Sequence, residues 1–363
     1  MKELRCWVEI EKAALRHNAT VVREKIGQAE ILAVVKADGY GHGLVGVAEA
    51  LADDAAIFGV ANLEEALTLR ATLAHPIMIL GPALPSEREE IIAHGFMPSL
   101  STWEEARAFH DLAKKSIAVN VKIDSGMGRM GVLATEAIEL MKRVSALSNI
   151  QVHSVSTHLP AANEDDAFTR EQLREFSVLV QQLRREVPGR FKAHALQTAG
   201  LLGFADEVFD IVRPGMGLYG IATLPEFQSE LRPALTWKAR IGLLREMPAQ
   251  HGISYGRTFI TQAPMRVATL TCGYADGYPR HLSNQGASVL AGGRRCPLLG
   301  RVTMDLMMID VSAVPNAKVG DEVVLLGRQG EAEVTCAELA ERAGTITWEI
   351  TTRIGKRVPR IYV

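Results

Sequence analysis

Lys36 closes a short apolar run, ILAVVK, and opens the segment KADGYGHG, with glycines at positions 39, 41 and 43. A lysine held out of water gives up its proton more readily than one in solution. It then becomes a nucleophile for a carbonyl carbon, the requirement for a Schiff base. From position alone it could equally be a solvated or ion-paired lysine at the end of a strand. Other residues are as ambiguous when taken one at a time. Tyr40 reads as a packed loop aromatic, Arg213 in RPGMGLYG as an ion-pair residue beside a turn, and His158 at the end of VHSVSTHL as a satisfied core histidine.

These residues need elements to hold them. From residue 31 to about 221, apolar runs alternate with longer amphipathic segments, the pattern of βα units around a parallel sheet. The runs are ILAVVK (31–36), IFGVAN (57–62), PIMILG (76–81), MPSLS (97–101), IAVNVKID (117–124), VHSVSTHL (152–159), KAHALQTA (192–199) and FDIVRPG (209–215). Eight runs predict a closed (β/α)8 barrel of the TIM type, in which chemistry sits at the C-terminal ends of the strands. Lys36 lies at such an end. Between the runs, LEEALTLRATLA, SEREEIIAHG, STWEEARAFHDLAKK and TREQLREFSVLVQQLRREV carry apolar residues at helical spacing. Ser101 with Glu104 resembles a capping box. After about residue 225 the texture changes to β-branched runs separated by Gly and Pro, as in RVATLTCGY and EVVLLGRQG. This predicts a barrel over 1–230 and a mainly β domain over 231–363, with one short helix near CAELAERAG.

Composition narrows the function. The 363 residues are enough for two domains, and 47% hydrophobic with 23% charged residues can bury a substantial core. Forty Lys and Arg against forty-two Asp and Glu leave a net charge of −2, which provides no footprint for nucleic acid or an anionic membrane. Glu3, Arg5 and Glu9 interrupt the N-terminus where a secretion signal needs an apolar run, and no later run approaches a membrane span of ~20 apolar residues. Cys6, Cys272, Cys296 and Cys336 are scattered without metal-ligand spacing. Reduced thiols in a cytoplasmic protein without a metal are therefore expected.

The longer motifs decide between the readings of Lys36. VVKADGYGHG resembles the pyridoxal-phosphate attachment motif of alanine racemases. KIDSGMGRMG (122–131), STHL (156–159), RPGMGLYG (213–220), ISYGRTF (253–259), GYADGYPR (273–280) and GRVTMD (300–305) each resemble their counterparts in that family, in the family's order. The resemblance implies that Lys36 carries pyridoxal 5'-phosphate as a Schiff base and that Tyr40, Thr198 and the amides of Gly215 and Met216 hold its phosphate. It places Arg213 against the cofactor's ring nitrogen; a guanidinium cannot give up its proton, so that nitrogen stays an acceptor and side reactions are disfavoured. It gives Arg129 the ring oxygen and the substrate carboxylate, with Lys122 carbamylated to orient it. His158 would link Arg213 to the catalytic Tyr255. By the same resemblance Tyr255, with Tyr274, Met304 and Asp305, reaches the barrel mouth of a second subunit in a homodimer, and the Met304 amide lies near the substrate carboxylate. The implied activity is interconversion of L- and D-alanine, for peptidoglycan or for alanine catabolism.

Three residues depart from the family's pattern: Lys356 where a tyrosine is frequent, Thr303 where a cysteine is common, and Gln197 in place of a frequent asparagine. They bear on substrate range more than on the reaction. A racemase of broader specificity or for serine therefore stays open. A pyridoxal-phosphate carrier would lack the β domain, and a related decarboxylase would need a longer chain with a cysteine motif not found here. A cofactor-free barrel aldolase would leave Tyr255 and Arg213 unexplained.

Overall fold

Each apolar run of the first 220 residues forms a strand in the computed structural model, which describes residues 3–363. After an N-terminal strand β1 (Cys6–Ile10) come β2 (Glu30–Val34), β3 (Ile57–Val60), β4 (Ile77–Ile79), β5 (Met97–Leu100), β6 (Ile117–Asp124), a short β7 (Val132–Leu133), β8 (Ile150–Ser156), β9 (Lys192–His194) and β10 (Ile211–Val212). The parallel sheet runs β10, β2, β3, β4, β5, β6, β8, β9. It closes just past β9 and β10, where Gln197 pairs in parallel with Arg213 and the Arg213 amide donates to the Leu196 carbonyl at 2.8 Å. Every residue of β3, β4 and β5 is buried, as expected of strands covered on both faces.

The helices lie where their apolar periodicity places them, at Leu63–Arg70, Arg88–Ala93, Trp103–Leu112 and Asp166–Glu186. The capping box is displaced by one residue from the Ser101 and Glu104 expectation. Thr102 Oγ1 accepts from the Glu105 amide at 3.2 Å, and the Glu105 carboxylate accepts from the amides of Thr102 at 3.2 Å and Ser101 at 2.6 Å. Both candidate pairs have the right spacing. The helix starts at Trp103, so the second pair makes the cap.

The second unit comprises, among the described residues, 3–12, Tyr40–Gly43 and Pro233–Val363. Its strands are β11 (Leu235–Met247), β12 (Gly252–Ile253), β13 (Phe259–Ile260), β14 (Met265–Leu270), β15 (Ser288–Ala291), β16 (Arg294–Leu299), β17 (Met307–Asp310), β18 (Glu322–Gln329), β19 (Ala332–Val334) and β20 (Arg360–Tyr362). β18, β15, β16, β17, β14 and β11 follow one another, and β11 also pairs with β18, so the antiparallel ladder returns on itself. The boundary expected near Leu231 misses one element: β1 belongs to this sheet, with Cys6 opposite Ala239 and Ile10 opposite Leu235. CAELAERAG forms the helix Cys336–Ala343, and a second helix, Thr347–Thr352, follows it. Among the described residues no helix is long and apolar enough to cross a membrane.

Two glycines with left-handed backbones separate conformational strain from crowding. At Gly41 (φ +83°) a Cβ would lie 2.0 Å from the Thr351 carbonyl oxygen, whereas at Gly27 (φ +60°) it would meet nothing within 4 Å. Gly27→Ala is expected to cost about 1 kcal/mol, the left-handed penalty alone. Gly41→Ala should cost a further 1–3 kcal/mol or so, because backbone must move. Thermal unfolding of the two variants checks this, and equal shifts in Tm would refute it.

Candidate active site

Lys36 stands just past the end of β2, where Val35 makes the last ladder bond, its amide donating to the Gly59 carbonyl at 2.9 Å. The backbone then turns left-handed for four residues: Ala37 (φ 53°), Asp38 (φ 54°), Gly39 (φ 60°) and Tyr40 (φ 52°). Three of these are not glycine, and each such residue costs roughly 1–2 kcal/mol. Such a turn persists only where its surroundings hold it. Glu65 does much of this. One carboxylate oxygen accepts from the Ala37 amide at 2.7 Å, the other from the Ala61 amide at 2.8 Å. Asp38 accepts from the Leu44 amide at 3.0 Å, and the Gly39 amide donates to the Val35 carbonyl at 2.8 Å.

Around this turn the barrel gathers cations. Burial, followed by the charge of Arg129, lowers the Lys36 pKa; Glu65 opposes the shift and Arg213 adds to it. Lys122, on β6, is pushed well below its ordinary value, first by burial and then by Arg213 and Arg129. Lys122, Asp124, Arg129, Thr157 and His158 line a small cleft. Arg129 sits on the loop that follows Asp124, whose carboxylate accepts the Gly126 and Met127 amides, both at 2.9 Å. His158 lies two residues beyond β8, not at its end as the run implied.

Arg213 is buried, with four N–H groups taken. Nη1 donates to His194 Nδ1 at 2.7 Å and to the His194 carbonyl at 3.0 Å; Nη2 donates to the carbonyls of Thr157 at 2.6 Å and Ala195 at 2.8 Å. The imidazole bonded to Arg213 is thus that of His194, a contact the sequence did not announce. Among the described residues the Nε–H of Arg213 has no acceptor. Thr198 Oγ1 accepts from the amides of Gly215 at 3.0 Å and Gly217 at 3.1 Å, which leaves its own hydrogen to donate. Met216 opens the short 3-10 helix Met216–Tyr219 beside it. An amine, a hydroxyl donor between two helix starts and a guanidinium with one N–H in reserve match an aldehyde, a phosphate and a ring nitrogen. That donor set fits pyridoxal phosphate.

The remaining expected residues lie in the β unit. Tyr40 is buried there, while Tyr255 is 71% exposed, Met304 55% and Tyr274 40%. Tyr255 follows Ser254 (φ 64°), whose hydroxyl donates to the Arg301 carbonyl at 2.6 Å and fixes the bend. Asp305 pairs with Arg357 at 2.7 Å, which also holds Asp276 at 2.7 Å. Sequence reasoning missed His194 and Glu65. KAHALQTA marks a strand without saying which way the imidazole points, and Glu65 reads as one of several acids in a first helical turn.

Burial, then the charges of Arg213, Lys122, Arg129 and Lys36, push the His158 pKa from 6.5 down to about 2. The folded protein keeps this ring neutral while the unfolded chain protonates it below pH 6.5, so its contribution to stability is lost as pH falls from 6.5 toward 2. By pH 5 this amounts to about 1–2 kcal/mol, allowing for screening of a partly exposed ring. His158→Gln should therefore lose less stability than wild type between pH 7 and 5. Parallel pH–stability curves would refute the assignment.

Comparison with known proteins agrees with this geometry. The model of the alanine racemase N-terminal domain matches residues 10–223, and that of the C-terminal domain matches residues 234–362. An alanine racemase of Halothermothrix orenii is 42% identical over 98% of this chain and 96% of its own length. The crystal structure of alanine racemase from D-cycloserine-producing Streptomyces lavendulae superposes with a TM-score of 0.92 at 34% identity, over 100% of this chain and 98% of that one. An alanine racemase structure from Bartonella henselae, with covalently bound pyridoxal phosphate, gives a TM-score of 0.89 at 28% identity over 99% and 100% of the two chains. Two domain models covering nearly the whole chain, together with relatives matched along their full length, establish that this chain belongs to the alanine racemase family, pyridoxal-phosphate-dependent isomerases.

Proposed function

We propose that this chain interconverts L- and D-alanine with Lys36 and Tyr255 as its two proton-transfer groups. The observation that carries the reading is the seat of Lys36, a half-buried amine at the barrel mouth whose pKa is lowered by burial and neighbouring cations. Inversion at the α-carbon requires a proton to leave one face and return to the other, which one rigid base does not reach. Lys36 takes the proton from D-alanine and Tyr255 takes it from L-alanine. Pyridoxal phosphate, when bound, draws electrons from the α-carbon and makes its hydrogen acidic. Lys36 would hold its aldehyde carbon, Tyr40, Thr198 and Met216 its phosphate, with Gly215 turning its amide from Thr198 Oγ1 to join them, and Arg213 its ring nitrogen. His158 lies among the cations of this site and stays uncharged, so its bare ring nitrogen serves Tyr255 as an acceptor.

Arg129 pairs with the substrate carboxylate. Lys122 is driven toward its neutral form, the form that reacts with carbon dioxide: the amine nitrogen bonds to carbon, one proton leaves, and a carbamate anion results. An anion between Arg129 and Arg213 replaces repulsion with attraction. Protein equilibrated with ¹³C-labelled carbon dioxide should therefore give a carbamate resonance that Lys122→Ala lacks. A resonance that persists in the variant, or is missing from both proteins, would refute the modification.

The exposure of Tyr255, Met304 and Tyr274 supports their facing the barrel mouth of a second copy, two sites in a homodimer. The product serves peptidoglycan synthesis or alanine catabolism in the cytoplasm. The test is loss of optical rotation with L-alanine and L-serine as substrates, alanine being the faster. Tyr255→Phe should lower the rate ~10²–10⁴-fold. Mixed with inactive Lys36→Ala, it should recover up to about a quarter of wild-type activity, since half the random dimers carry one intact site. Exchange of subunits without recovery would rule out the shared site.

A further inference from the structure

Arg213 is placed by neutral groups alone, and the one side chain among them is His194. We propose that His194 is the positioning residue for Arg213, locked as the Nε2–H tautomer by a one-way relay of hydrogen bonds through the barrel interior. The inference deepens the reading of Arg213 given above and rests on it.

The polarity follows from what each group is able to do. A guanidinium only donates, so His194 Nδ1, 2.7 Å away, must present its lone pair. The imidazole proton is then on Nε2, which donates to Ser154 Oγ at 3.1 Å. That leaves the Ser154 hydrogen for Asn120 Oδ1 at 3.1 Å. The Asn120 amide nitrogen has two hydrogens and two acceptors, Ser99 Oγ at 3.1 Å and Ser156 Oγ at 3.0 Å. Ser99 in turn donates to the Ile79 carbonyl at 2.8 Å, a group that only accepts. The relay starts on an obligatory donor and ends on an obligatory acceptor, so the direction of every link between them is fixed. Reversing any link leaves two lone pairs or two hydrogens face to face in the interior, where no solvent relieves them: His194 and Ser154 are 0% exposed, Asn120 1%, Ser156 2% and Ser99 3%.

A carboxylate in place of His194 would also hold Arg213, but it would cancel the charge. A protonated imidazole would repel it. The neutral, tautomer-locked ring orients the guanidinium and leaves its full positive charge available. Burial and the charge of Arg213 both keep the ring neutral.

The test is ¹⁵N NMR of the histidine-labelled holoenzyme, with the His194 signals identified by their loss in His194→Asn. One bare nitrogen, Nδ1, and one protonated nitrogen, Nε2, unchanged from pH 6 to 9, are expected. The Nδ1–H tautomer, or an imidazolium titrating in that range, would overturn the proposal. This readout needs no turnover, so a correct tautomer without racemisation would count against the catalytic reading and not the relay. In activity, His194→Leu should lower kcat about 10–100-fold with little change in KM, as loss of a partner behind a working group does. His194→Asn keeps an acceptor where Nδ1 stood and should recover most of that loss. Wild-type kcat in the leucine variant, or equal damage in both, would also overturn it.

Discussion

A buried cation without an anionic partner organises this site. Arg213 gives up hydration and receives three carbonyls and one imidazole nitrogen in return, none of which neutralises it. Its field then reaches every titratable group nearby. Lys36, Lys122, His158 and His194 all shift toward their neutral forms, and the charge of Arg213 contributes to each shift. Arg213 itself is lowered to about 10, first by burial and then by Arg129. A mouth with this balance favours anions, and the reaction brings them as the cofactor's phosphate and the substrate's carboxylate. The same balance favours an amine that has already lost its proton, which Lys36 needs before it acts as a base.

The fold was legible because its signals are periodic. Eight apolar runs separated by amphipathic segments demand a parallel sheet under helices, and the strands lie within one to a few residues of the runs. The N-terminal strand escaped for a physical reason. CWVEI is too short to declare its partners, and its pairing with Leu235–Ala239 spans more than 220 residues of intervening chain. The one-residue displacement of the cap at Thr102 has a similar origin, since local sequence offers two hydroxyls and two acids at the same spacing.

Within the site, motif resemblance supplied residue types, and the structure supplied directions. His158 and His194 each lie within an apolar run, and only the structure reveals that His194, the last residue of β9, bonds Arg213 while His158 stands past its strand at the cleft. The left-handed turn after Lys36 was partly legible in its glycines. Yet Ala37, Asp38 and Tyr40 share that backbone, and the carboxylate of Glu65 that helps offset their strain comes from a separate helix 28 residues on. No local pattern announces a restraint of that kind.

The departures from the family's pattern now have different weights. Thr303 has its hydroxyl occupied within its own turn, donating to the Leu306 carbonyl at 2.7 Å and accepting from the Leu306 amide at 3.3 Å. A cysteine there would make those bonds weakly, so threonine stiffens the loop that bears Met304 without turning a new polar group outward. Gln197 donates to the Leu159 carbonyl at 3.2 Å, while its own side-chain oxygen is buried without a partner. It ties β9's continuation to the loop after β8, immediately before Thr198. Lys356 is exposed, an ammonium on a long flexible stem where a tyrosine would present a rigid hydroxyl. Two of the three substitutions therefore act on the stiffness of loops that carry site residues, and the third changes a rigid neutral donor into a flexible charged one. None alters Lys36 or Tyr255, the groups proposed to transfer the proton, so they bear on substrate range more than on the reaction.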